Sequence, residues 1–131
     1  MRFNYQYFEG KFLPIISLQL KGREGWLTFN GFVDTGASYS IFHYDVIEVL
    51  GLSEKDGQQE EMIIGDGDKI IVNVFKIQVS IAGETFFAKI GFSKQLAINM
   101  YIIGRKDIFE YSLVSFNEHE KWTEFRPLKD K

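Results

Sequence analysis

The residues best suited to chemistry form the segment Asp34-Thr35-Gly36-Ala37-Ser38, which directly follows the apolar pair Phe32-Val33. A carboxylate in this setting emerges at the end of a buried strand. The glycine in the turn lets backbone approach a substrate or a second copy of the loop. Such a carboxylate can act as a general acid or base. Asp, Thr, Gly and Ser are also common turn residues, so an ordinary β-turn is the alternative interpretation.

The elements on either side of this segment decide how it is positioned. Before it, the apolar stretches 13–20 and 26–33 flank a polar connection with two glycines, which predicts a β-hairpin. After it, apolar residues recur near helical spacing and Gly51 stands where a helix C-cap is expected, which predicts a short helix. These apolar residues are Ile41, Phe42, Val46, Ile47, Val49 and Leu50.

The middle of the chain predicts two further hairpins. Residues 57–61 are polar and are expected to form a loop, whereas 62–74 are expected to form two strands around Gly65-Asp66-Gly67-Asp68. Residues 75–81 alternate between apolar and polar side chains, and a turn at Gly83-Glu84 leads into a strand over 85–90. The first of these hairpins is the best candidate for a mobile cover.

The last third continues this pattern. An apolar strand over 98–103 ends at Gly104, residues 106–111 can form a helical turn, and 113–116 with 122–125 predict a final hairpin. Strands dominate, with one short helix and no repeat or linker. The predicted class is therefore all-β with one short helix, as a single domain over residues 1–131.

Three parts of the sequence, in the same order, resemble the retropepsin-like aspartic peptidases over nearly the whole chain. Phe32 to Ser38 is similar to the active-site loop of that family, and a helix-like segment follows it. The hairpin around Gly65-Asp66-Gly67 stands where the family has its substrate-covering flap. The segment from Tyr101 to Phe109 is similar to the family's hydrophobic-hydrophobic-Gly element and the short helix after it.

This resemblance implies a half-barrel that dimerises to form the active site. The family takes one catalytic Asp from each of two chains, and this sequence contains one Asp-Thr-Gly, so Asp34 is expected to meet Asp34 of a second copy. Two carboxyls in one site share a proton, and the ionised one can activate a water. Thr35 is expected to brace the two loops, and Gly36 to offer its carbonyl to the substrate backbone.

The same resemblance implies the rest of the site and the partners. Ala37 and Ile103 are expected to contact the substrate, and Gly65, Asp66 and Gly67 to close over it. The expected partners are a second copy of the chain and a peptide or protein substrate, with activity highest in mild acid and no cofactor.

Two differences from the viral members qualify the comparison. Those members usually carry an acid after Asp-Thr-Gly-Ala, whereas this chain has Ser38, so Arg105 lacks the carboxylate partner expected there. Viral members also interleave their termini in the dimer. This chain ends in a polar-tipped hairpin after Leu113, which is more like the cellular branch of the family.

A different functional class remains open. The same fold could serve as a dimeric peptide-binding or scaffolding module with weak or no turnover, or its hairpin could shield an occluded site. An Asp at position 34 favours the enzyme, because a buried pair of carboxylates is costly unless it shares a proton.

Other sites are poorly supported. A serine-hydrolase elbow would need Gly where Ser40 stands, and a calcium loop starting at Asp66 would need Glu where Ile77 stands. Two His and no Cys cannot form a zinc site by themselves, although carboxylates could assist. Asn99 lies among apolar residues and is interpreted as a satisfied structural polar group.

Composition excludes further classes. The chain has 131 residues, a net charge of −3 and no cysteine, with acids and bases interspersed. This distribution argues against nucleic acid as a partner. No apolar run reaches the roughly 18 residues that span a bilayer. The chain is therefore expected to act away from membranes, in the cytoplasm.

Overall fold

A computed structural model of the chain describes residues 1–63, 67–96 and 100–128. The strands within these ranges are β1 (Arg2–Asn4), β2 (Gln6–Phe8), β3 (Lys11–Leu13), β4 (Ile15–Gly22), β5 (Gly25–Val33), β6 (Ser40–His43), β7 (Gln58–Ile63), β8 (Lys69–Ile81), β9 (Glu84–Ser93), β10 (Tyr101–Ile103), β11 (Ser112–Asn117) and β12 (Trp122–Pro127). The helices are α1 (Asp45–Val49) and two 3-10 turns, Glu54–Asp56 and Phe109–Tyr111. The predicted class, all-β with one short helix, is confirmed. No helix in the described ranges is long and apolar enough to cross a membrane.

Six strands form a closed ring. They are hydrogen-bonded in the order β4-β5-β10-β6-β9-β8, and β8 returns to β4 through the pairs Gln19–Ser80 and Leu20–Val79. β7 extends the ring outward as a further neighbour of β8. Closure pairs the backbone groups that an open sheet would leave at its edges.

Apolar side chains, which alternate with polar ones along the strands, fill the inside of the ring. In β8, Ile77, Val79 and Ile81 are buried, and the polar residues between them point the other way. Aromatic rings complete the core, with Phe42 stacked on Tyr101 at 4.6 Å between ring centroids. The largest fully buried side chains include Phe42, Phe92, Phe125, Ile16, Leu20 and Ile103.

β10 lies between two strands that come from a distant part of the sequence. It pairs in parallel with the end of β5, where Ile103 is opposite Val33, and antiparallel with β6, where Ile102 is opposite Ile41. The loop that joins β5 to β6 must therefore pass around the end of β10. This loop contains Asp34.

Two predicted elements were wrong. Ile41 and Phe42 belong to β6 instead of the helix, because this segment pairs in parallel with β9 and is buried on both faces. Residues 57–61 were expected to be a loop, yet Gln58–Ile63 forms β7. Polar residues suit an edge strand, which exposes one side to solvent.

The predicted hairpins are confirmed as β4–β5, β7–β8, β8–β9 and β11–β12. Gly51 ends the helix with φ of +75°, as expected for a C-cap glycine. The helical turn predicted over 106–111 is shorter and covers Phe109–Tyr111. Of the strand predicted over 98–103, Tyr101–Ile103 is observed, and residues 98 and 99 lie outside the described ranges.

The chain termini form a smaller sheet in the order β1-β12-β11. The amino group of Met1 donates to the carbonyl oxygen of Phe125 at 2.7 Å, and Phe125 is buried in the main core. The buried Phe125 side chain attaches the small sheet to the ring. The hydrogen bond from Met1 holds the first residue against β12.

Candidate active site

Asp34 is the first residue beyond β5, and its backbone is fixed from the opposite strand. Its amide N–H donates to the carbonyl oxygen of Ile103 at 3.0 Å, which extends the parallel β5–β10 ladder by one residue. The preceding amide, that of Val33, donates to the carbonyl oxygen of Pro14 at 2.9 Å. Asp34 is therefore held at the end of a rigid strand and is itself half-buried.

The loop folds back on the Asp34 side chain. The amide of Gly36 donates to Asp34 Oδ1 at 2.9 Å, and the amide of Ala37 donates to the Asp34 carbonyl oxygen at 3.2 Å. Such a side-chain-to-backbone bond is typical of Asp in turns. It fixes one carboxylate oxygen, whereas no hydrogen bond from the described residues reaches Oδ2. One oxygen of Asp34 is thus oriented by the backbone, and the other accepts no hydrogen bond from the described residues.

The lack of a side chain at Gly36 allows its backbone to lie close to the Asp34 carboxylate. A Cβ added at Gly36 would lie 3.3 Å from Asp34 Oδ1, closer than an ordinary van der Waals contact. Thr35 and Gly36 are exposed and Ala37 is half-buried. The predicted catalytic residues thus lie together on an accessible turn.

The segment after β10 forms backbone hydrogen bonds with the Asp34 loop. The amide of Arg105 donates to the Ala37 carbonyl oxygen at 3.0 Å, and the amide of Lys106 donates to that of Ser38 at 2.7 Å. Gly104 lies so close that an added Cβ would overlap the carbonyl oxygen of Tyr39. The hydrophobic-hydrophobic-Gly element predicted from the sequence does meet the Asp34 loop.

Ile103 was predicted to contact substrate. Its side chain is fully buried and lies against Gly31, where an added Cβ would come within 2.8 Å of Ile103 Cγ1. Its carbonyl oxygen holds the Asp34 amide, so in this structure the residue positions the loop. Contact between Ile103 and a substrate stays a prediction.

Of the predicted flap residues, the structure describes Gly67, which lies on another hairpin. Gly67 precedes β8, has φ of +92°, and has no atom within 4 Å of an added Cβ. Gly65 and Asp66 are outside the described residues. The contacts within the Asp34 loop involve β5, β10 and the segment after β10, and the structure places Gly67 in none of them.

Charges of both signs lie beside the loop. Arg105 is exposed, and no carboxylate of the described residues forms an ion pair with it. Lys106 Nζ lies 3.7 Å from Asp107 Oδ1. Both basic residues line a groove of about 430 Å³ together with Ser38, Phe109 and the acidic Glu110. Within the described ranges, no three His, Cys, Asp or Glu side chains are grouped to hold a metal ion.

Two residues that position the site were missed from the sequence. Ser40 is buried, and its Oγ accepts the amide N–H of Gly104 at 2.9 Å. Pro14 supplies the carbonyl that holds Val33. Neither bond has a local sequence signal, although a serine beside the apolar Ile41-Phe42 pair could have been interpreted as a buried hydrogen-bonding residue.

Comparisons with known proteins support the fold. No protein-family model matches the sequence, and a search of curated proteins finds no significant match. Among solved structures, the chain is similar to the crystal structure of a retropepsin-like aspartic protease from Rickettsia conorii, with 16% sequence identity and a TM-score of 0.65. The alignment covers 95% of this chain and 89% of that chain. At this identity the likeness concerns the backbone arrangement, and the chain has a retropepsin-like fold.

Proposed function

We propose that the chain is an aspartic endopeptidase that hydrolyses peptide bonds in extended polypeptide segments and acts as a homodimer. The observation that carries this proposal is the setting of Asp34. A strand end and two backbone hydrogen bonds hold it on an accessible turn, and one carboxylate oxygen has no partner among the described residues. This arrangement suits a carboxylate that must meet a water and a second carboxyl group.

A second copy of the chain supplies the other carboxyl. The sequence contains one Asp-Thr-Gly, and acid–base hydrolysis of an amide without a metal needs two groups in opposite protonation states. Two Asp34 side chains that face each other would share one proton, because two adjacent carboxylates cannot both ionise cheaply. The exposed Thr35 and Gly36 leave room for that approach.

The reaction then proceeds without a covalent enzyme adduct. The ionised Asp34 takes a proton from water while the water oxygen attacks the scissile carbonyl carbon. The protonated Asp34 of the other chain gives its proton to the carbonyl oxygen, which yields a neutral gem-diol. When the C–N bond breaks, the protonated Asp34 gives its proton to the leaving nitrogen, and the ionised Asp34 of the other chain takes a proton from a gem-diol hydroxyl. The products are an amine and a carboxylic acid, and the pair again holds one proton.

Substrate is held as an extended strand. The Gly36 carbonyl would accept a hydrogen bond from the substrate backbone, and Ala37 would lie beside it. The β7–β8 hairpin, with a positive-φ glycine near its tip, would close over the peptide and exclude bulk water. These contacts involve substrate backbone, so they impose an extended conformation more strongly than a particular residue.

The C-terminal part of the chain offers an apolar surface for dimerisation. β11 pairs with β12 on one side, and the described residues provide no strand on its other side. Four exposed apolar side chains lie on or near this strand, at Tyr111, Leu113, Phe116 and Leu128. An exposed edge with apolar side chains favours association with another chain.

The proposal is tested by Asp34→Asn, which keeps the side-chain shape and removes the carboxylate. We expect a folded dimer with no detectable peptide hydrolysis at any pH, whereas the wild type cleaves peptides best in mild acid. Asp56→Asn, at an exposed position in a 3-10 turn, is the matched control and should remain active. Activity of Asp34→Asn close to wild type would exclude the mechanism. Peptide binding by the wild type without cleavage would identify a binding module instead.

A further inference from the structure

β8 extends beyond its neighbour β9. It pairs with β9 from Ile81 to Asn73, which is opposite Phe92, and β9 ends one residue later. On its other side β8 pairs with β7 as far as Lys69. Residues 69–72 therefore belong to a two-stranded arm that projects from the ring. In an antiparallel ladder, alternate residues direct their N–H and C=O groups to the same side, so this arm presents unpaired groups where β9 has ended.

At Ile71, two residues before Asn73 in the sequence, two side chains form hydrogen bonds with the backbone N–H and C=O groups that face away from β7. The amide N–H of Ile71 donates to Gln95 Oε1 at 2.8 Å, and the Ile71 carbonyl oxygen accepts from Ser93 Oγ at 3.0 Å. Ser93 Oγ also accepts the amide N–H of Gln95 at 3.0 Å. We call this set of bonds the Ser93–Gln95 clasp. The two side chains thus provide the pair of hydrogen bonds that a longer β9 would have made to Ile71.

The Ser93 hydroxyl both donates and accepts a hydrogen bond in this arrangement. It is 1% exposed, donates one hydrogen bond and accepts another. A hydroxyl has one proton to donate, so its orientation is fixed by the Ile71 carbonyl. A buried hydroxyl that loses this acceptor would be left without a partner, which opposes detachment of the arm.

An apolar cluster lies against the same arm. Ile70 and Val72, which flank Ile71 and point to the opposite face, are buried together with Ile41. Leu96, directly after Gln95, packs against this cluster, as does Tyr39 from the loop that follows Asp34. The cluster is separate from the main core. The arm is therefore attached to the body of the chain by this small cluster and by the clasp.

We infer that Ser93 and Gln95 are positioning residues that set the orientation of the projecting β7–β8 arm. This inference rests on the proposed function, in which that hairpin covers the substrate. The clasp holds Ile71 within the arm, so it constrains the angle at which β7 and β8 leave the ring. Gln95 is exposed, so its bond exchanges readily with water, whereas the buried Ser93 bond does not. The arm can then tilt about a retained Ser93 contact.

Gln95→Met tests this inference, because it keeps the side-chain length and removes the acceptor. Hydrogen exchange at the Ile71 amide should accelerate about tenfold, while the amide of Ile77, within the two-sided part of β8, should be unchanged. Gln95→Glu retains an acceptor oxygen and should restore slow exchange. Gln58→Met, an exposed substitution at the start of β7, is the control and should exchange like wild type at Ile71.

Peptide hydrolysis provides the second measurement. Gln95→Met should raise KM about threefold to tenfold with a smaller change in kcat, as expected if the arm is less often in the closed position. Gln95→Glu should behave like wild type. Unchanged exchange at Ile71 in Gln95→Met would overturn the inference, and so would faster exchange with unaltered kinetics. Exchange does not depend on turnover, so failure of the clasp is distinguishable from absence of peptidase activity.

Discussion

The Oγ of Ser40 accepts the amide N–H of Gly104 at 2.9 Å, and both residues are buried. Ser40 begins β6, which follows the Asp34 loop, and Gly104 directly follows β10. The bond therefore joins the start of β6, where the loop ends, to the segment after β10 that contacts the loop. Its effect on the loop is geometric, because it fixes the point at which the loop re-enters the ring.

Ser40→Ala should destabilise the fold by about 1–3 kcal/mol, because it leaves the buried Gly104 amide without an acceptor. Urea unfolding at a fixed protein concentration would measure this loss. Ser38→Ala is the matched control: its side chain is exposed, and its backbone carbonyl, which accepts from Lys106, is retained. Equal stability of the two variants would show that the Ser40 bond is dispensable.

Gly67→Ala should reduce kcat/KM about tenfold, equivalent to about 1.4 kcal/mol of transition-state stabilisation. Gly67 has φ of +92°, where a Cβ restricts the backbone, and it lies on the hairpin proposed to close over substrate. Peptide hydrolysis by a folded dimer provides the measurement.

Gly83→Ala is the control for this change. Gly83 has φ of +84° and equally open surroundings, but it lies in the turn between β8 and β9. Both variants should lose a similar amount of stability, about 1 kcal/mol, and Gly83→Ala should keep normal kcat/KM. If Gly67→Ala were as active as Gly83→Ala, the substrate cover would have to be another part of the chain.

Leu113→Glu should shift the monomer–dimer equilibrium toward monomer, because it places a charge among the exposed apolar residues near the β11 edge. Specific activity should fall with it and should also fall steeply when the wild type is diluted, since each site needs two chains. Sedimentation together with activity across a dilution series would measure both effects.

Leu27→Glu serves as the comparison. Leu27 is also an exposed leucine on a strand, but it lies near the start of β5, at the opposite end from Asp34. It should remain dimeric and active. Full specific activity from a species shown to be monomeric would contradict the shared site.

Stability should decrease in strong alkali through Tyr5. Burial, reinforced by the hydrogen bond from its hydroxyl to Glu118 Oε1 at 3.0 Å, raises the pKa of Tyr5 from 10.0 to about 12. Between these values the folded chain keeps a proton that the unfolded chain has lost. The free energy of unfolding must therefore fall as pH rises, by at most about 1.4 kcal/mol per pH unit from this group.

Tyr5→Phe isolates that contribution, because it removes the titrating hydroxyl and keeps the ring. The stability difference between wild type and Tyr5→Phe should be constant below pH 10 and should shrink between pH 10 and about pH 12. Urea unfolding at several pH values would measure it. A difference that does not vary with pH would show that Tyr5 titrates alike in both states.

The elements that could be predicted from the sequence are those with local signals. The β4–β5 hairpin follows from a glycine-containing connection between apolar stretches, and the Asp34 turn follows from its own residues. Ile41 and Phe42 were assigned wrongly because a short buried strand and one face of a helix look alike over a few apolar residues. Their parallel partner, β9, lies far along the chain.

The bonds that position the site could not be predicted for a similar reason. Ser40 and Gly104 are 64 residues apart, and Ser93 and Ile71 are 22 apart. A single serine carries no information about such a partner. The strand β7 was missed because its polar residues suit an edge strand as well as they suit a loop.

The attachment of the Asp34 loop to β10 has a consequence for folding kinetics. Contacts between residues separated by more than 60 positions, such as Ser40 and Gly104, require closure of a long chain segment before they contribute any stability. We expect the hairpins to form first and β10 to enter the ring late. Ile103→Val should then accelerate unfolding more than it slows folding in stopped-flow measurements. Competence for hydrolysis would be among the last properties that a refolding chain regains.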